Sequence, residues 1–452
     1  MVEGAHRRTV WRAHHTYTRC VGSGRDRRRT SILAAALALA VLAAACSNDP
    51  GSAPPSTTQF VAPTTTEVPS DHVLVLGALL PQSGRGATFG DPLIEAFKLA
   101  VDEINAAGGI DGKRVVPKVA DEGADLTTAS KGAAELVSAG ADVIIGPASS
   151  NAGRAVIGRI TGAGRAMCSP TNTSIALGKA PDHGLYYRTI ASDALQATAM
   201  AGLVSDTGES RLSIVYTDDQ FGRDYLDALR AALPRYDIDV DLELAVDPAS
   251  PDLKPTARQV LGDSPGTLVV IGNDTDGSRM LATLNAVDMT LPKTIVVNDA
   301  MRDRGLINLL GTNPTPFIES IVGVSPETGV ADSAAGAHFA ETFAAAAPQI
   351  NLDYAAYAYD CVIITALAAI AAGTDQPSEL AQKVSDVTRS GQPCSSFAEC
   401  RDLLAAGRNI DYDGASGRLE LNSEGDPQNV RLEQFGFDQT GRDILIKQVN
   451  PQ

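Results

Sequence analysis

Tryptophan is all but missing: Trp11 is the only one in 452 residues, and aromatic side chains make up just 5% of the chain. Histidine is scarce too. Beyond residue 45 only His72, His183 and His338 occur, far apart, and the chain has neither HExxH nor CxxC. Metal-assisted and Ser-His catalysis therefore have little to stand on, and the reading calls for no metal and no cofactor. The one GxSxG string, Gly262-Asp-Ser-Pro-Gly266, precedes a strand pattern where a nucleophile elbow must follow one, so it reads as a helix-ending turn. Basic charge is also short, with 37 Lys and Arg against 54 Asp and Glu. The net −17 argues against nucleic acid as a partner.

What is present begins with a leader. Arg25 and Arg27–Arg29 precede an apolar run, Ile32–Ala45, which ends in small residues followed by Cys46. The run is short for a membrane span and reads as a secretory signal over residues 1–45. The small residues before Cys46 resemble a bacterial lipobox, so Cys46 is the expected lipidation site and mature N-terminus. An exported protein anchored to the outer face of the cell membrane follows as an expectation. Val21 stands just before the basic cluster, and a start there would give a leader of ordinary length. Residues 1–45 hold eight basic and two acidic residues, so the remainder carries 29 against 52, near −23. Such a body is too acidic to lie flat on an anionic membrane. Residues 46–70 are rich in Ser, Thr and Pro and read as an extended tether.

Four more cysteines follow, in a compartment that permits disulfides. Cys394 and Cys400 are close enough to close a small loop. Cys168 and Cys361 either pair with each other or stay as small buried apolar residues.

From Asp71 onward short apolar runs alternate with amphipathic ones. Strands are expected at 73–80, 115–120 and 142–145, with helices at 89–107 and 127–138 between them. The rhythm restarts at 212–216 and continues through strands at 238–244, 267–271 and 294–297. A helix from Met301 to Leu310 and a long one from Asp353 to Ala372 follow, and strands at 417–421, 430–435 and 444–447 close the chain. Two βαβ series imply an α/β protein of two lobes, each a mostly parallel sheet flanked by helices.

Ligands of open parallel sheets lie beyond the carboxyl ends of the strands. Two loops there are rich in hydroxyls: Gly146-Pro-Ala-Ser-Ser-Asn151 and Ser169-Pro-Thr-Asn-Thr-Ser174. Ser149, Ser150 and Asn151 are competent helix caps, and amides at a helix start attract a carboxylate. A single loop would be explained by capping. Two loops at adjacent strand ends offer the hydroxyls, amides and carbonyls that a small zwitterion needs.

Several strings, in order, resemble the periplasmic branched-chain amino acid binding proteins. They are Gly77-Ala-Leu-Leu-Pro-Gln-Ser-Gly84, Ala100-Val-Asp-Glu-Ile-Asn-Ala-Ala-Gly-Gly-Ile-Asp-Gly112, Ile145-Gly-Pro-Ala-Ser-Ser150, Ser169-Pro-Thr-Asn-Thr173, Val215-Tyr-Thr-Asp-Asp-Gln-Phe-Gly222 and Ala356-Tyr-Ala-Tyr-Asp360. The resemblance implies a type I periplasmic-binding fold with three hinge crossovers, near Arg188–Ser192, Ile321–Ser325 and Asn422–Asp426. The expected lobes are then 71–190 with 323–424, and 191–322 with 425–452. It also implies that Ser150, Thr171 and Thr173 hold the ligand's carboxylate and ammonium, while Ser149 shapes and caps the turn. Phe89 and Phe221 would cover the ligand from opposite sides. Asp274 falls where an aromatic often stands, and Asp299 either receives the ammonium or caps the helix that follows. The implied function is capture of an amino acid, amide or similar small polar solute, without catalysis, and delivery to the permease subunits of an ABC importer. A ligand sensor signalling to a membrane partner is the alternative, and an exported hydrolase is a distant third.

Overall fold

Strand faces explain the layers before any topology is drawn. A computed structural model describes residues 66–302, 306–310 and 315–449, except the side chains of Arg85, Asp274 and Thr315. Cys46, the leader and the tether through residue 65 lie outside the described residues. In β1 (Val75–Leu80), Leu76, Ala78 and Leu80 pack on one side with α1 (Ala87–Ala106), and Leu79 packs on the other. Alternate side chains of a strand point to opposite faces, so both faces of this sheet must be covered.

The first lobe continues with β2 (Val116–Asp121), α2 (Leu126–Ser138), β3 (Val143–Ile145), α3 (Ser150–Gly162), β4 (Ala166–Ser169), the turn α4 (Ile175–Gly178) and β5 (Tyr186–Arg188). Its five strands are all parallel, in the order β2-β1-β3-β4-β5. The second lobe holds α5 (Asp193–Asp206), β6 (Arg211–Thr217), α6 (Gln220–Ala232), β7 (Asp239–Val246), α7 (Lys254–Gly262), β8 (Thr267–Ile271), α8 (Asp274–Ala286) and β9 (Thr294–Val297). Two single turns, α9 (Leu306–Leu309) and α10 (Thr315–Ile318), lead to β10 (Ile321–Pro326). The chain then returns to the first lobe as α11 (Ala334–Ala346), α12 (Ala355–Ala372), α13 (Pro377–Val387), β11 (Gln392–Cys394), α14 (Phe397–Ala405) and β12 (Ile410–Tyr412). It ends with β13 (Leu432–Phe437) and β14 (Asp443–Val449). The second sheet has seven strands in the order β14-β13-β10-β9-β8-β6-β7, parallel except at β13 and β14.

α12 is apolar all round, with a mean hydropathy of 1.8 over 18 residues, enough by composition to cross a membrane. Its place is instead the core of the first lobe, where 83% of it is buried. A helix without a polar face needs cover on every side, and α1 and α13 supply it. The Cys168–Cys361 disulfide ties α12 to β4, and Cys394–Cys400 closes the small loop at α14. Buried Asp360 of α12 accepts hydrogen bonds from Tyr412 Oη, Ala415 N, Ser416 N and Ser416 Oγ, so the segment 412–416 is stapled to the helix.

Three sequence expectations change. Strand β10 stays paired in the second sheet through Pro326, which faces Leu432, so the second crossing follows Pro326 instead of occupying 321–325. Gly425 and Asp426 bond to Arg188 of β5, through the Arg188 amide and its guanidinium, so they belong with the first lobe. Residues 417–421 form only isolated bridges, Asp413 to Arg418 and Leu421 to Pro427, and no strand.

Candidate functional site

A crevice forms in an open parallel sheet where adjacent strands send their chains to opposite sides. That point lies between β1 and β3 in the first lobe and between β6 and β8 in the second. Residues leaving these strand ends meet around one cavity of about 700 Å³. Ser149, Ser150 and Asn151 follow β3, and Thr171 and Thr173 follow β4. Asp219 and Phe221 follow β6, Asn273 follows β8, and Asp299 follows β9. Phe89, Arg154, Arg302 and Tyr354 add to the wall. Of the residues singled out from sequence, Ser149, Ser150, Thr171, Thr173, Phe89, Phe221 and Asp299 are thus brought together.

The first loop turns at Gly146, where φ is +108° and an added Cβ would sit 2.1 Å from the Leu79 carbonyl oxygen. Only glycine fits. Ser149 caps α3, its Oγ accepting from Ala152 N at 3.4 Å, as the sequence reading expects. Ser150 Oγ accepts from Ser174 N at 3.4 Å. The second loop buttresses the first. Ser169 Oγ donates to Pro147 O, Asn172 Nδ2 to Pro147 O and Ala148 O, and Thr171 Oγ1 to Ala148 O, all at 2.9 Å.

Beneath this unit lies Glu122, which sequence reasoning missed. Its side chain is 2% exposed, and its carboxylate accepts from Ala148 N at 2.7 Å and Ser149 N at 2.9 Å. Burial pushes its pKa up to about 7 against the pull of those two amides. The available signal was the acidic pair Asp121-Glu122 at the end of a strand.

On the opposite wall, Gln196 Nε2 donates to Asp299 Oδ2 at 3.1 Å and, more weakly, to Asp193 Oδ1 at 3.4 Å. Burial first, then the charge of Asp299, push Asp193 up to about 8, and burial raises Asp299 as well. The two carboxylates share one donor, the Gln196 amide, and burial favours the protonated form of each. Asp193 also donates its N–H to Thr173 O at 2.8 Å, so this pair is tied to the hydroxyl loop.

The helix expected from Met301 to Leu310 does not form as one. Asp299 opens a single 3-10 turn, Asp299–Met301, with its Oδ1 accepting from Ala300 N at 2.8 Å, and α9 is a separate turn. Asp299 is therefore no cap for a long helix. Asp274 opens α8, its side chain lying outside the described residues. Its neighbour Asn273 caps that helix through Thr275 N and Asp276 N and lines the cavity.

Tyr354 and two arginines were also missed. Tyr354 stands just before α12 in left-handed backbone, φ +58°, and meets Phe89 edge-on at 5.7 Å. A bulky residue held in that conformation costs about 1–3 kcal/mol, and such outliers concentrate at ligand sites. Arg302 is committed to protein partners: Ser325 Oγ and Asp443 Oδ2 at 2.9 Å each, Glu433, and the Phe435 ring beneath it. Arg154 is held on one side by Asn151 Oδ1.

A periplasmic binding protein family model matches residues 74–426, most of the chain. The chain belongs to the periplasmic binding protein family. Periplasmic binding proteins similar to it include a Leu/Ile/Val-binding protein of Rhizobium johnstonii, 27% identical over 231 residues. That match covers 50% of this chain and 62% of the relative, less than two thirds of its length. The substrate-binding protein of a chemotactic signal transduction system in Halobacterium salinarum is 25% identical over 366 residues, covering 78% and 84%. Among solved structures, the branched-chain amino acid transporter substrate-binding protein of Streptococcus pneumoniae in complex with isoleucine has a TM-score of 0.64 at 20% identity. It covers 84% of this chain and 99% of that one. A solute-binding protein of R. palustris in complex with benzoate has a TM-score of 0.61 at 17% identity, covering 84% and 97%. These likenesses establish the two-lobe fold.

Proposed function

We propose that this periplasmic binding protein is an exported solute receptor of the branched-chain amino acid transporter type. It closes its lobes on an amino acid or amide-like solute and delivers it to the permease of an ABC importer, held at the membrane by a lipid on Cys46. The observation that carries the reading is the cavity itself. Its size suits a small solute, hydroxyls and helix-start amides line one lobe, and a carboxylate and an aromatic face them from the other. In this reading Ser150, Thr171 and Thr173 hold the head group, Asp299 meets the ammonium, and Phe89, Tyr354 and Phe221 cover the solute. A ligand bridging two lobes favours the closed state by its differential affinity for it. The Rhizobium relative named for Leu, Ile and Val supports an amino-acid solute.

The Halobacterium relative, part of a chemotactic system, favours sensing as a second reading, in which the same closure reports to a membrane partner. Uptake of the bound solute by cells lacking this chain separates the two: transport requires the chain, sensing does not.

The test of the site is calorimetry with a solute found by thermal-shift screening of amino acids, amides and small aromatic acids. Ser150→Ala and Thr173→Ala should each weaken binding about 10-fold or more, the worth of a hydrogen bond to a charged group. Unchanged affinity in both variants refutes the head-group assignment.

A further inference from the structure

Two arginines line the cavity, and they differ in what they have left to offer. Arg302 is matched by two carboxylates and a serine hydroxyl. Arg154 forms no ion pair with any described carboxylate, in a chain where acidic residues outnumber basic ones 54 to 37. Its Nη2 donates to Asn151 Oδ1, and its Nη1 is buried with no hydrogen-bond partner among the described residues. A guanidinium presents its donors as a planar fork suited to a carboxylate, and a buried donor left without an acceptor is costly.

Position sharpens the point. Arg154 lies four residues after Ser150 on α3, one turn along the same helix face, and the bond to Asn151 draws its guanidinium back to the first turn. It therefore stands beside the place where the helix start and hydroxyls would take a head-group carboxylate. Three acids of the cavity wall have partners of their own: Asp219 caps α6 through Gly222 N, Asp299 accepts from Gln196 Nε2 and Ala300 N, and Asp443 pairs with Arg302.

We infer that Arg154 reads a second acidic group on the ligand, so that the solute is an acidic amino acid or a related dicarboxylate and not a branched-chain one. The inference rests on the proposed amino-acid site. It makes Arg154 a specificity-determining residue, while Ser150 and Thr173 serve any ligand with the head group.

Isosteric pairs test it on the full exported chain: L-glutamate against L-glutamine, and L-aspartate against L-asparagine, by calorimetry. At least one acid should bind about 10- to 100-fold more tightly than its amide. Arg154→Gln should bring that ratio near one while leaving the affinity for the amide within about 3-fold. Ser150→Ala should weaken both members of the pair alike. Amides or L-leucine binding as tightly as the acids overturn the inference, as does an Arg154→Gln variant that loses affinity for acid and amide equally. The latter would mean that Arg154 serves the head group. If no probe binds the wild-type chain, the amino-acid reading falls with it, whereas binding of leucine alone removes only the inference.

Discussion

Replacing Glu122 with Gln should gain stability on wild type as pH rises, although it removes a carboxylate that accepts two hydrogen bonds. The folded chain keeps a proton on Glu122 up to about pH 7, and an unfolded chain releases it near 4.5. Between those values the native state binds more protons than the unfolded one, so stability falls as pH rises through the window. At about 1.4 kcal/mol for each pH unit, that loss is about 3 kcal/mol, and with the side chain 2% exposed, water does little to screen it. Glutamine does not ionise, but its amide nitrogen cannot accept as a carboxyl oxygen does, so one of Ala148 N and Ser149 N is left without its acceptor. Glu122→Gln should therefore fall below wild type by about 1–3 kcal/mol near pH 4.5, the cost of the unpaired amide, and gain about 3 kcal/mol on wild type between pH 4.5 and pH 7. Urea unfolding of the ligand-free protein at pH 4.5 and 8, followed by circular dichroism, measures the difference. A difference that does not change with pH refutes the reasoning. Affinity should move the other way. The ionised carboxylate holds both Ala148 N and Ser149 N, whereas glutamine accepts from only one, and a looser loop presents Ser150 less well. A site that stores instability for function is a common trade.

Three other outcomes follow from the same geometry. Asp193, raised to about 8 beside Asp299, lowers stability as pH climbs from about 4 to 8, so Asp193→Asn should gain on wild type across that range in the same unfolding assay. An ammonium arriving at Asp299 should favour its ionised form over the protonated form that burial favours, so binding should release protons, read as a binding heat that depends on the buffer's ionisation enthalpy. A heat independent of buffer would contradict the pairing. Removing Cys168–Cys361, which spans 193 residues, should cost roughly 5 kcal/mol by loop entropy, against roughly 2 kcal/mol for Cys394–Cys400, which spans six; paired Cys→Ala variants in urea rank the two.

Much of the fold was legible because strand and helix periods are local. The strands at 267–271 and 294–297 fall where the apolar runs lie, and α1 and α2 follow their amphipathic stripes to within a residue or two. The failures came where one chain segment depends on another. Residues 417–421 look like a strand but find no continuous partner, and the segment after Asp299 breaks into separate turns despite its helical pattern. Among site residues, the two hydroxyl loops were visible through cap chemistry and family resemblance. Tyr354 was not, because its backbone conformation depends on the carbonyl of Thr328, far back in the chain, which accepts its N–H.

By itself, then, the sequence settled the class of fold, the two hydroxyl-rich strand ends and the acidic character of the body. These follow from periodicity, turn chemistry and charge, which need no knowledge of neighbours. Tertiary structure alone decided that Glu122 lies beneath Ala148 and Ser149, that Gln196 joins Asp193 to Asp299, and that one cavity arginine is matched while the other keeps a donor without a partner among the described residues. A side chain's protonation and hydrogen bonding depend on what surrounds it in space, and those surroundings come from segments far apart along the chain, as with Arg302 and Asp443, 141 positions apart.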